Sequence, residues 1–222
     1  MRVLITGSSR GIGQESTIKF IQEGHDVIGL DLLPSSIDNE HYTHYVCDIS
    51  KSEQLPELGD IDIIFNNAGK QNCEDDITNN LKGTINVTNK YAFHSGIKSV
   101  LFNASSSAHT GFEFDEYCAS KAGIIGYMKH VAWKLAKYGA TCNSISFGGV
   151  SSPLNKEVED NPILWKQIME VTPLKKWVSL KEAADWVYFL TINNKSMSGQ
   201  DVLIDNGEKD LNCTFVWPDF DK

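Results

Sequence analysis

Tyr117 and Lys121 stand four positions apart in a stretch that reads as helix. That spacing puts both side chains on one helix face. A free tyrosine, with a pKa of about 10, is a poor base at neutral pH. An ammonium held beside it favours the tyrosinate and lowers that pKa, each unit being worth about 1.4 kcal/mol. Such a pair can give or take a proton at a substrate oxygen. Alone the pair is a weak signal, because amphipathic helices carry chance Tyr–Lys neighbours.

A second group of residues offers anion binding. Residues 6–13 read Thr6-Gly7-Ser8-Ser9-Arg10-Gly11-Ile12-Gly13, directly after a strand-like run and at the opening of a helix. A helix N-terminus exposes unpaired N–H groups and about half a positive charge, which suits a pyrophosphate. Glycine allows the tight turn and the close approach of the phosphates. The next strand ends at Asp31, where a carboxylate can accept hydrogen bonds from adenosine ribose hydroxyls and repel a 2′-phosphate. Leu32, Leu33 and Pro34 follow, so Arg10 is the nearby cation that could favour the phosphate. The pattern therefore favours NAD over NADP. The plainer readings are an ordinary glycine-rich turn and a turn-forming acid. His41 and His44 flank Tyr42, but no third and fourth ligand has metal spacing, so no metal is expected.

The elements that must position these groups alternate along the chain. Strand-like runs fall at Val3–Thr6, Asp26–Leu30, Thr43–Cys47, Ile61–Phe65, Ser99–Asn103, Thr141–Ser146 and Val202–Asp205. Several are nearly continuous apolar runs, as in strands buried on both faces. Helical stretches lie between them at Gly13–Glu23, roughly Asp76–Ser95, Asp115–Tyr138 and Leu180–Thr191. The alternation predicts a parallel sheet with helices on both faces and right-handed crossovers. Residues 153–177 break the rhythm with three prolines and two tryptophans and read as an insertion with one or two helices. Placed over the C-terminal ends of the strands, it would form an apolar substrate lid. Ile124, Met128, Val131 and Leu135 make one apolar stripe, with Gly123 and Gly126 allowing close approach.

Composition narrows the classes. The 222 residues are 41% hydrophobic and 22% charged, which excludes a disordered or collagen-like chain. A net charge of −9 argues against a nucleic-acid coat or a polybasic membrane surface. No apolar run approaches the roughly 18 residues of a membrane helix. The five cysteines are scattered without CxxC, which fits reduced thiols. With a strand and glycine turn at the N-terminus and no signal peptide, the expected location is cytoplasmic.

The glycine spacing G-x-x-x-G-x-G, Asn66-Asn67-Ala68-Gly69 and Tyr117-x-x-x-Lys121, in this order, resemble the short-chain dehydrogenase/reductase family in its compact single-domain branch. The resemblance spans essentially residues 1–207. It implies an α/β fold, a Rossmann-type doubly wound parallel sheet of about seven strands with helices on both faces. It makes residues 1–222 one NAD(P)-binding domain with 153–177 as a lid and 208–222 as a tail.

The implied activity is an NAD-dependent oxidoreductase that interconverts a secondary alcohol and a ketone by hydride transfer. By resemblance, Tyr117 is the acid/base, and Lys121 lowers its pKa and holds the nicotinamide ribose. Ser106 of Asn103-Ala104-Ser105-Ser106-Ser107 orients the substrate oxygen, with Ser105 and Ser107 as alternatives. Asn80 of Asn80-Leu81-Lys82-Gly83 holds a water in a proton path. The cofactor would be held by Gly7, Ser9, Arg10, Gly11, Ile12, Gly13, Asp31, Asp48, Ile49, Asn67, Ala68, Gly69, Tyr117, Lys121, Val150 and Ser152. Asp48 would contact the adenine. Ser152 and the Val150 backbone would bond the nicotinamide carboxamide.

Phe147 stands where the family has proline, which removes a fixed φ. The segments 69–80 and 106–117 are shorter than in the family. A homodimer or homotetramer is implied, through the helix near Asn80 and the helix 117–138, with Phe215, Trp217 and Phe220 of the tail on a neighbouring subunit. The alternative is a nucleotide-binding regulator or scaffold of the same fold without turnover.

Overall fold

The computed structural model describes residues 1–71, 73–112 and 114–211. The tail residues Phe215, Trp217 and Phe220 lie outside them. In chain order the elements are β1 (Arg2–Thr6), α1 (Gly11–Gln22), β2 (Asp26–Asp31), β3 (Tyr42–Val46), β4 (Ile63–Asn66), a π-helical turn (Ile77–Lys82) running into α2 (Gly83–Tyr91), and β5 (Ser99–Asn103). There follow α3 (Ser107–Thr110), α4 (Asp115–Leu135), β6 (Thr141–Phe147), β7 (Val150–Ser151), α5 (Lys156–Glu159), α6 (Pro162–Val171), β8 (Val178–Ser179), α7 (Leu180–Tyr188) and β9 (Asp201–Ile204).

Seven strands form one parallel sheet in the order β3-β2-β1-β4-β5-β6-β9. The apolar runs are buried for the reason the pattern gives: both faces of the central strands are covered. One core joins Leu4, Ile28, Ile64, Val100 and Phe102 to Val87, Tyr91 and the α4 stripe Ile124, Met128, Val131 and Leu135. The other joins Val3, Ile5, Phe65, Leu101 and Ile145 to Phe20 of α1 and Ala183 and Val187 of α7. This is the single-domain, doubly wound sheet that the alternation predicts.

Several details differ from the sequence expectation. β4 begins at Ile63 rather than Ile61, because the Arg2 N–H goes to the Asp62 carboxylate at 2.8 Å and β1 pairs with β4 from Val3 onward. The helix expected over 76–95 opens as a π-turn and ends at Tyr91. Gly123 does meet a neighbour, since a Cβ there would lie 2.7 Å from Leu81, but Gly126 faces open space. Beyond the main sheet, β7 and β8 form a separate two-stranded parallel pair. It brings together the two ends of the insertion. Cys47, Cys73, Cys118 and Cys142 are free thiols.

Candidate active site

In a parallel doubly wound sheet, loops at the C-terminal ends of the strands surround a crevice where the strand order reverses. Here the order reverses between β1 and β4. The glycine turn follows β1, Asp31 ends β2, Asp48 follows β3, Asn67–Gly69 follow β4, Ser105–Ser107 follow β5, and Val150 and Ser152 follow β6. The fold therefore brings all the expected site residues to one edge.

The glycine turn has no spare room on its sheet side. A Cβ on Gly7 would lie 2.9 Å from Ala68 Cα, and one on Gly13 would lie 2.0 Å from the Gly7 carbonyl oxygen. Gly7 and Gly11 also take positive φ, 68° and 59°, which an L side chain resists. Beyond Gly11 there is open space. Arg10 is the N-cap of α1 and makes no side-chain cap bond, and no acidic residue sits in the first turn. The first-turn N–H groups thus have no capping side chain, as a site for a pyrophosphate requires. Ser9 and Ile12 are half-buried beside it, and the Arg10 side chain is exposed.

Asp31 is anchored at both oxygens. Ser9 N–H donates to Oδ2 at 2.9 Å and Leu33 N–H donates to Oδ1 at 2.9 Å. Asp48 is also engaged. Its Oδ1 accepts from the Ser50 hydroxyl at 2.7 Å and the Ser50 N–H at 3.0 Å, and Lys51 lies 3.5 Å from Oδ2. Burial works against its charge, but these donors outweigh burial and its pKa falls. Ile49 is buried, and its carbonyl accepts from Asn86 at 3.0 Å.

A chain of hydrogen bonds links the glycine turn to the Tyr–Lys pair. Thr6 Oγ1 accepts from the N–H groups of Asn67 and Ala68, both at 2.9 Å. The Asn67 amide donates to the Thr6 and Gly7 carbonyls at 3.0 and 3.2 Å. Its oxygen accepts from Asn103 Nδ2 at 2.9 Å. The Asn103 carbonyl accepts from Lys121 Nζ at 2.8 Å. That ammonium sits 5.7 Å from the centre of the Tyr117 ring. Lys121 is 3% exposed, and burial pulls its pKa down to about 8, with the charge of Asp76 working the other way.

Asn80 closes the wall behind the lysine. A Cβ on Gly69 would lie 3.2 Å from Asn80 Oδ1 and 3.3 Å from Lys121 Nζ, so the three meet at one point. The Asn80 side chain accepts from the Lys70 N–H at 2.7 Å and donates to the Lys70 carbonyl at 2.9 Å and Ser120 Oγ at 3.0 Å. It is fully buried within the π-turn, not a solvent-facing residue, and such turns recur at functional sites.

Among the three serines, Ser105 and Ser107 are buried, with their hydroxyls 3.1 Å apart. Ser106 is half-buried, and its N–H is held by the Phe147 carbonyl at 2.9 Å. Val150 lies in β7 with its carbonyl bonded to Asn155 at 2.8 Å, and Ser152 is half-buried just beyond.

A family model described as enoyl-(acyl carrier protein) reductase matches residues 7–209. The chain belongs to the short-chain dehydrogenase/reductase family. This short-chain dehydrogenase/reductase is 29% identical over 238 residues to a 3-oxoacyl-[acyl-carrier-protein] reductase of Thermotoga maritima, covering 92% of this chain and 96% of the relative. It is 27% identical over 243 residues to a glucose 1-dehydrogenase of Gluconobacter oxydans, with 93% and 91% coverage. A solved 4-hydroxyisoleucine dehydrogenase mutant complexed with NADH and succinate superposes with a TM-score of 0.86 at 23% identity, covering 94% of this chain and 98% of that one.

Sequence reasoning missed several residues that hold this short-chain dehydrogenase/reductase site together. Asn103 is the polar residue that ends the apolar run Val100-Leu101-Phe102 of β5, a signal that was open to reading. Asp76 is buried beside the π-turn and accepts from the Cys73 thiol at 2.8 Å. His109, on the short helix after Ser106, bonds Asp201 at 2.7 Å, and that carboxylate also accepts from Ser144 and, at 3.1 Å, Ser146. Nothing in the linear spacing pairs residues 109 and 201.

Proposed function

We propose that this chain interconverts a secondary alcohol and a ketone with NAD as its hydride partner. The reading is carried by the bonded path from the glycine turn through Asn67 and Asn103 to Lys121 beside Tyr117. The uncapped N-terminus of α1 and the side-chain-free Gly11 would hold the pyrophosphate. Asp31 would take the adenosine ribose hydroxyls, and Arg10 would flank the phosphates. Asp48 and the Ile49 backbone would border the adenine. Tyr117, Lys121, Asn67, Ala68, Gly69, Val150 and Ser152 would border the nicotinamide half. When bound, the nicotinamide ring supplies the site that accepts or gives the hydride.

In the oxidising direction Tyr117 takes the hydroxyl proton as the carbon–hydrogen bond gives up its electron pair, and the carbonyl forms. In the reducing direction Tyr117 returns a proton to the oxygen. The Lys121 ammonium favours the tyrosinate. Ser106 donates to the substrate oxygen and fixes its position. Asn80, committed to Lys70 and Ser120, holds the wall beside Lys121 and so keeps the proton path in register.

The insertion 153–177 is proposed as the substrate cover. Leu154, Ile163, Leu164 and Val171 are exposed on it, and Trp165 stacks edge-on against Trp177 at 5.1 Å. The substrate is a small alcohol or carbonyl compound, and the enzyme works in the cytoplasm as a homodimer or homotetramer. Trp133 on α4 is 76% exposed in the single chain, which suits burial by a second copy. Sedimentation showing monomer alone would overturn that assembly.

The deciding experiment is Tyr117→Phe. NAD affinity by calorimetry should be unchanged, while turnover falls by about 10²–10⁴, the usual worth of a general acid or base. Retained turnover would sink the mechanism.

A further inference from the structure

The run His41-Tyr42-Thr43-His44-Tyr45 has no part in the chemistry above. Tyr42 and His44 lie two apart on the edge strand β3 and so share one face. That face reaches over β2. Gly29 is the register partner of His44, and a Cβ on it would fall 2.1 Å from the Tyr42 hydroxyl oxygen and 2.3 Å from Ser8 Oγ. The missing side chain at Gly29 therefore leaves the gap in which the tyrosine meets the glycine turn. The Tyr42 hydroxyl donates to Ser8 Oγ at 2.9 Å, and Ser8 is fully buried. His44 Nδ1 lies 2.9 Å from the same hydroxyl. On its other side His44 Nε2 donates to the Leu33 carbonyl at 2.9 Å. A carbonyl only accepts, so this nitrogen carries a proton.

Leu33 is the residue whose N–H grips Asp31 Oδ1, and its carbonyl also accepts from Ser9 Oγ at 3.0 Å. Ser9 in turn grips Asp31 Oδ2. Ser8, Ser9, Asp31 and Leu33 thus form one bonded unit between the glycine turn and the turn after β2, tied to the edge strand by two side chains. We propose that Tyr42 and His44 are positioning residues that lock the Asp31–Leu33 turn against the glycine turn and thereby enforce discrimination against a 2′-phosphorylated ribose. The inference rests on Asp31 facing the adenosine ribose. With the turn fixed, the Asp31 charge cannot swing away from an incoming phosphate. With the turn released, the carboxylate can retreat and the exposed Arg10 can meet the phosphate, so NADP gains on NAD.

The test is calorimetric titration of wild type, Tyr42→Phe, His44→Phe and His44→Gln with NAD and with NADP, alongside melting temperatures. Loss of one hydrogen bond corresponds to roughly 3- to 10-fold in a dissociation constant. Tyr42→Phe and His44→Phe should weaken NAD by that factor and leave NADP unchanged or tightened. In turnover, KM for NAD should rise while kcat holds. His44→Gln, whose amide can still donate to the Leu33 carbonyl, should restore the discrimination, and it serves with Tyr42→Phe if His44→Phe does not fold. Equal weakening of both dinucleotides, or no change in either, overturns the positioning role alone. Wild-type protein that binds neither dinucleotide, or prefers NADP, overturns the cofactor reading first and this inference with it.

Discussion

Helices α1 and α6 are alike in length and opposite in what holds them. α1 buries Gly13, Ser16, Thr17 and Phe20 and has no side-chain cap. α6 buries none of its residues, yet Asn161 caps it by accepting from the N–H groups of Ile163 and Leu164, and Pro162 opens its first turn. Capping and an N-terminal proline make α6 a helix by local rules. Packing makes α1 a helix and leaves its N-terminal donors for a ligand. One region is close-packed on its sheet side, at Gly7 and Gly13. The other is ordered from within and rests only lightly on the body.

The sharpest way to break this contrast is within the glycine turn. Gly13→Ala would put a methyl group 2.0 Å from the Gly7 carbonyl oxygen, so it should cost about 3 kcal/mol or more and abolish NAD binding. Gly11→Ala meets nothing within 4 Å and should cost only about 1–2 kcal/mol, from its positive φ. Denaturant unfolding of both decides the matter. Equal costs would mean the turn is not close-packed.

Next in size is Lys121→Met. A lysine whose pKa falls from 10.5 to about 8 in the fold carries a penalty while it is charged. At about 1.4 kcal/mol per unit that penalty is about 3 kcal/mol. The methionine variant should therefore be more stable than wild type below pH 8. Between pH 8 and 10.5 the unfolded chain binds more protons than the folded one, so wild-type stability rises and the difference closes. A gap that does not shrink across that window would remove burial as the cause. Turnover should be lost at every pH.

The smallest effect is expected in the insertion. Trp165→Ala removes an aromatic pair worth about 0.5–1.5 kcal/mol and should leave NAD affinity intact. KM and the ranking of alcohol substrates should change. If both stay put, the insertion does not cover the substrate.

The same contrast explains what could be read from the sequence. The parallel sheet with helices on both faces follows from strand–helix alternation, because buried parallel strands must be apolar and the helices between them amphipathic. The glycine turn was legible because tight backbone contacts leave one residue type per position, as at Gly7 and Gly13. The Tyr117–Lys121 spacing was legible because helix geometry fixes which residues share a face. What joins distant elements was not. The His109–Asp201 bond and the Tyr42–His44 strap join residues that come together only once the chain is folded. The π-turn around Asn80 was also hidden, because an extra residue in a helical turn leaves no compositional mark. β7 and β8 are two residues each, too short for any periodicity to register.

That short parallel pair has an engineering consequence. Val150 is opposite Val178, and Ser151 is opposite Ser179. The two ends of the insertion therefore leave and rejoin the body at one spot, and a second tie runs from the Leu174 N–H to the Asn206 carbonyl at 3.2 Å. Its anchoring strands carry the fold's continuity, since Ser179 at once caps α7 with Glu182. If the insertion covers the substrate as proposed, a sequence of different length spliced in between Asn155, which holds the Val150 carbonyl, and the buried Thr172 would change which substrate is taken and leave NAD affinity as it stands.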